Sequence, residues 1–179
     1  VRYPDGFFAD HTHKGIQTAT YVLDGAITHY DNFSGSGRLE KNDFQIMTSG
    51  NGIIHNEDPD EGTTARVLQL WINLSPENKK QHASYVDILN GTTPQVVTDG
   101  AKINVLAGSL GTVAHIGNQT PVNIYEGTIT GEFELPIAKG YNSYFYVLEG
   151  AGALSGEVVD TFDLAHFEET TDAKTVHIA

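Results

Sequence analysis

Short apolar runs alternate with polar, glycine-rich turns along the first half of the chain. Thr18-Ala19-Thr20-Tyr21-Val22-Leu23 is closed by Asp24-Gly25, and Ala26-Ile27-Thr28-His29-Tyr30 runs toward Ser34-Gly35-Ser36-Gly37. Lys41-Asn42-Asp43 precedes Phe44-Gln45-Ile46-Met47, and the turn Ser49-Gly50-Asn51-Gly52 comes before Arg66-Val67-Leu68-Gln69-Leu70-Trp71-Ile72-Asn73. Runs this short, rich in β-branched and aromatic residues and punctuated by Gly, Asn and Asp, predict strands rather than helices. Strands at such spacing predict an all-β sandwich or barrel, with Phe44, Met47 and Trp71 in its core. Only Ser75 to Leu89 reads as a helix, because Ser75-Pro76-Glu77 places a capping residue before a proline at the first helical position.

One segment recurs. Tyr21-Val22-Leu23-Asp24-Gly25-Ala26 returns as Tyr146-Val147-Leu148-Glu149-Gly150-Ala151, shifted by 125 residues. Two related lobes are expected from it, residues 1–90 and 91–179, although apolar-apolar-acid-Gly is also a common hairpin signal. The same shift carries His11 and His13 onto Pro136 and Ala138, which cannot ligate metal, and carries His55 beyond Ala179. The second lobe is therefore expected to be metal-free and truncated, and the chain to be a piece of a longer protein.

Composition narrows the chemistry. The 179 residues are 39% hydrophobic, enough for a sizeable core. No apolar run approaches the roughly 18 residues of a membrane-spanning helix, and VRYPDGFFAD lacks the basic and apolar regions of a signal peptide. A cytoplasmic protein with no membrane association is expected. A net charge of −13 lacks the basic stripe that a phosphate backbone requires, so no direct nucleic-acid partner is expected. With no cysteine, any metal must be held by His nitrogen and carboxylate oxygen.

Two pairs of residues meet that requirement. Side chains two apart on a strand share a face, so His11 and His13 present two imidazoles to one side, and His55 and Glu57 present an imidazole and a carboxylate. Paired strands would bring all four to one point. Three imidazoles and one carboxylate suit a divalent first-row metal and leave coordination positions open for substrate, water or dioxygen. His29 could approach such a site but is assigned to the surface. His82 is assigned to solvent, and His115, His166 and His177 have no partner at ligand spacing.

His11-Thr12-His13-Lys14-Gly15, the run Thr20 to Gly25, the run Asn42 to Glu57 and Leu68-Gln69-Leu70-Trp71-Ile72-Asn73-Leu74 resemble, in order and spacing, the pirin family of the cupin superfamily. The likeness is specific from Asp5 to about Leu74 and looser beyond. It departs in His-Thr-His for His-Pro-His, in Lys14 for Arg, in Gln17 for Glu and in Asn42-Asp43 for Gly-Asp. The resemblance implies a bicupin of jelly-roll β-barrels whose N-terminal lobe alone holds metal, through His11, His13, His55 and Glu57. It implies Fe(II) as the metal, with Mn, Ni, Cu and Zn as alternatives. It further implies an oxidoreductase like the pirin-type quercetin 2,3-dioxygenases, opening a flavonol-like aromatic substrate with O2, with Glu57 as the catalytic base. The alternative it carries is a metal-binding regulator that docks a protein partner, a transcription factor or a metabolic enzyme.

Overall fold

The structure, a computed structural model, describes residues 3–4, 9–115, 119–169 and 171–179. It is almost entirely β. Contacts divide the chain into two units: residues 1–93 with 106–108 and 115–123, and residues 94–105 with 109–114 and 124–179.

The first unit is built from β1 (Tyr3–Pro4), β2 (His11–His13), β3 (Ile16–Asp24), β4 (Ala26–Asp31), β5 (Gly35–Glu40), β6 (Phe44–Thr48), β7 (Ile53–Pro59), β8 (Thr64–Asn73) and β9 (Ser84–Ile88). These strands form two antiparallel sheets, ordered β2-β7-β4-β5 and β1-β8-β3-β6-β9. Alternation decides which side chains enter the space between them. On β7, Ile53, His55 and Glu57 are buried while Ile54 is exposed. Val22, Ile27 and Leu39, each at most 4% exposed, form a core cluster with Ala65 and Val67 packed against them.

The expected helix over Ser75–Leu89 does not form. The capping signal starts only one turn, Asn78–Lys80, with Lys79 N–H donating to Ser75 O at 3.0 Å. The chain then extends into β9, whose Ser84–Ile88 pair in register with Thr48–Phe44. Tyr85-Val86-Asp87-Ile88 alternates with period two, and pairing along the edge of β6 satisfies backbone groups that an isolated amphipathic helix would leave that edge without. Phe44 and Met47 are buried as expected, but Trp71 is 60% exposed.

The second unit comprises β10 (Gln95–Val97), β11 (Ala101–Ala107, which ends in the first unit), β12 (Ser109–Leu110), β13 (Val113–Ala114), β14 (Ile124–Ile129), β15 (Phe133–Ile137), β16 (Ser143–Tyr146), β17 (Ala151–Leu154), β18 (Glu157–Asp160), β19 (Leu164–Phe167) and β20 (Lys174–Ile178). One small core gathers Ala101, Ile103, Val105, Leu110 and Phe133, another Ile137, Leu154 and Val176.

The sequence repeat is a structural one. Val22 donates to Asp43 O and accepts from Asn42 N–H, and Val147 makes the same pair with Asp163 and Phe162. Asp43 Oδ2 accepts from Glu40 N–H as Asp163 Oδ2 does from Asp160 N–H. Gly25 and Gly150, at φ of +74° and +90°, make the turns that follow the repeated strand. Ala26 pairs with Glu40 and Ala151 with Asp160, so the second hairpin is five residues shorter than the first. That deletion corrects the position expected for the counterpart of His55. Pro136 stands opposite Thr175 as His11 stands opposite His55, so Thr175, not a position beyond Ala179, takes that place.

Candidate metal centre

The register of one sheet assembles the site. His11 on β2 lies opposite His55 on β7, which lies opposite Asp31 on β4; in the next row Glu57 lies opposite His29, and His29 opposite Gly37. All four expected site residues project into the same interior. The ligand atoms of His11, His13 and His55 lie within 4.8 Å of one another, and among the described residues these three form the convergent group. Glu57 is not part of that group. Its Oε2 accepts from Gln69 Nε2 at 2.8 Å and its Oε1 from Thr20 Oγ1 at 3.3 Å, so it bridges the two sheets.

The imidazoles are poised as ligands. His11 Nδ1–H donates to Ala9 O at 2.9 Å, which leaves its Nε2 lone pair facing inward, 3.1 Å from His13 Nε2. Both ring nitrogens of His55 are buried without a hydrogen-bond partner. Leaving such atoms unpaired costs about 1–3 kcal/mol each. Burial, reinforced by His11, lowers the His13 pKa. Burial, followed by His11, His29 and His13, lowers that of His55 to about 3. The His55 ring is therefore neutral near pH 7, the form that binds metal. Burial raises the pKa of Glu57, against the bonds from Gln69 and Thr20. Convergent imidazoles, one of them with both ring nitrogens unsatisfied, and no thiolate fit a divalent cation of borderline softness.

This displacement has a thermodynamic consequence. Between pH 6.5 and about 3 the unfolded chain binds a proton at His55 that the folded chain does not. The metal-free protein should lose that increment of stability as pH falls through the window. Glu57, shifted upward, acts in the opposite sense, so the difference between wild type and His55→Asn isolates the histidine. Denaturation midpoints measured against pH check it: the variant should show the shallower loss.

Two residues near the site were misplaced by the sequence reading. His29 is not on the surface: it is fully buried, its Nε2 is 3.0 Å from Asp31 Oδ2, and its ring centroid is 5.3 Å from that of His55. The signal was available, because His29-x-Asp31 has the same spacing as His11-x-His13 and His55-x-Glu57. Trp71 lies beside His13, ring edge to face at 5.0 Å, and its Nε1–H donates to Gln69 Oε1 at 2.8 Å. Gln17, where the resemblance would place Glu, is buried and donates to Thr48 Oγ1 at 2.9 Å. His82 and His177 are exposed, and His166 is exposed and stacked on Tyr144.

An all-β chain whose first unit draws imidazoles from two adjacent strands into a sheet-lined interior is a cupin. The chain belongs to the pirin family: the family's sequence model, described as Pirin, matches residues 4–72. A Pirin-like protein of Solanum lycopersicum is 37% identical over 169 residues, covering 93% of this chain and 58% of the relative. The chain thus spans little more than half the length of that curated relative. Among solved structures, GK1651 from Geobacillus kaustophilus superposes with a TM-score of 0.94 at 30% identity, covering 99% of this chain and 74% of the other. A quercetin 2,3-dioxygenase from Acinetobacter baumannii shares the fold, with a TM-score of 0.82 at 23% identity over 99% of this chain and 70% of the other.

Proposed function

We propose that this chain carries the metal centre of a dioxygenase acting on a flavonol-like aromatic substrate. One divalent metal, Fe(II) ahead of Mn, Ni, Cu or Zn, is held by His11, His13, His55 and Glu57. The observation that carries the reading is the convergence of three imidazoles, two of them buried, beside a buried carboxylate. The likeness in fold to a quercetin 2,3-dioxygenase supports the choice of substrate class. The second unit takes no metal, because the counterparts of His11, His13 and His55 are Pro136, Ala138 and Thr175.

When bound, the metal supplies Lewis acidity and open coordination positions for substrate oxygen and dioxygen. The protein residues do the rest. Glu57, whose affinity for a proton is raised by burial, accepts the proton of the flavonol hydroxyl, while Gln69 and Thr20 keep its carboxylate aimed. Trp71 offers an exposed aromatic face next to His13 on which a planar substrate can stack. Trp71→Ala should raise KM about 3- to 10-fold with little change in kcat, the effect of losing an aromatic contact of about 0.5–1.5 kcal/mol. Steady-state kinetics over a range of quercetin concentrations check this.

Aerobic incubation of the iron-loaded protein with quercetin tests the function. Loss of the flavonol absorbance with release of carbon monoxide, both abolished by removing the metal, is the expected result. A metal-replete protein that leaves quercetin intact would contradict it and favour the alternative role of docking a protein partner.

A further inference from the structure

A ligating histidine uses one ring nitrogen on the metal and carries a hydrogen on the other, and that N–H needs an acceptor. For His11 the acceptor is Ala9 O. For His55 none is in place: both nitrogens are buried and unpartnered.

The neighbouring histidine has the opposite deficit. Asp31 Oδ1 accepts the backbone N–H groups of Phe33 at 2.6 Å and Ser34 at 2.5 Å, and its Oδ2 lies 3.0 Å from His29 Nε2. A carboxylate that accepts on both oxygens requires the hydrogen of His29 to sit on Nε2. Nδ1 is then left with a bare lone pair, and that atom is also buried without a partner. Its ring lies 5.3 Å from the His55 ring, centroid to centroid, with planes tilted by 42°. A donor lacking an acceptor thus adjoins an acceptor lacking a donor.

The surroundings hold the pair in place. Tyr85 also packs against His29, with ring centroids 4.6 Å apart. A Cβ at Gly37, opposite His29 on β5, would require Asp87 Oδ2 to move, and Asp87 accepts through Oδ1 from Gln45 Nε2 at 2.7 Å. The bond to Asp31 and the Tyr85 ring limit how far His29 can turn.

We propose that His29, locked in one tautomer by Asp31, accepts the non-ligating ring N–H of His55 and so aims that ligand at the metal. His29 is thus a positioning residue. The proposal rests on the metal reading above and adds to it the residue that orients one of the ligands.

Cobalt(II) binding and its visible absorption provide the test, because both report on the ligand field without requiring turnover. His29→Phe, which fills the space but accepts no hydrogen bond, should bind Co(II) about 10- to 100-fold more weakly and shift the d–d bands. His29→Gln, whose carbonyl can accept the same bond, should recover most of the affinity. A folded His29→Phe protein with unchanged affinity and unchanged bands would overturn the proposal. Should that variant not fold, long-range 1H–15N spectra of the zinc-loaded wild type decide. His29 protonated at Nε2 is expected, and His29 protonated at Nδ1 overturns the proposal. A wild-type chain that takes up no Co(II) would instead remove the metal reading itself, and this inference with it.

Discussion

His55→Ala protein should fail to retain metal under conditions in which the wild-type chain is fully loaded. The ring is 1% exposed, is held neutral by burial, and stands between His11 on one neighbouring strand and Asp31 on the other. Residues that merely orient ligands contribute about 10- to 100-fold to metal affinity, so losing a ligand outright should cost more than ~10²-fold. Competition against a chelator of known affinity measures this directly. His166→Ala is the control, since that ring is exposed on β19 against Tyr144 and belongs to the second unit. Equal losses in the two variants would mean that the affinity does not reside in the first unit.

Glu57→Gln should separate binding from chemistry. The amide keeps the size of the side chain and one oxygen that can ligate or accept from Gln69, but it cannot take up a proton. Flavonol turnover at matched metal content should fall by about 10²- to 10⁴-fold, the range of a lost general base. The match in metal content matters because a neutral ligand also binds more weakly. Unchanged turnover in the metal-replete variant would remove Glu57 from the base role and leave it as a bridge between the sheets through Thr20 and Gln69.

The site was legible because strand periodicity converts spacing into facing. His11-x-His13 and His55-x-Glu57 needed only the assumption of paired strands to share an interior, and the register of β2 with β7 realises that assumption. The same rule applied to His29-x-Asp31 puts that pair on one face of β4. What the sequence does not show is which face of β4 turns inward, and that depends on its pairing with β7. Trp71 was assigned to the core on size and apolarity alone. Alternation with the buried Ile72 puts it instead on the face shared with Gln69, exposed beside His13. The segment after Ser75 carried a true capping signal, but that signal governs one turn, whereas the strand that follows is decided by a partner edge far away in sequence. The counterpart of His55 was misplaced because a uniform shift cannot register the shorter hairpin of the second unit.

A single metal held in the first unit by His11, His13 and His55 with Glu57 would fix the metal stoichiometry of the chain. Elemental analysis of protein reconstituted anaerobically with Fe(II) and freed of excess should give about one metal atom per chain, as the one convergent group of histidines among the described residues implies. Two atoms per chain, or none, would contradict the account.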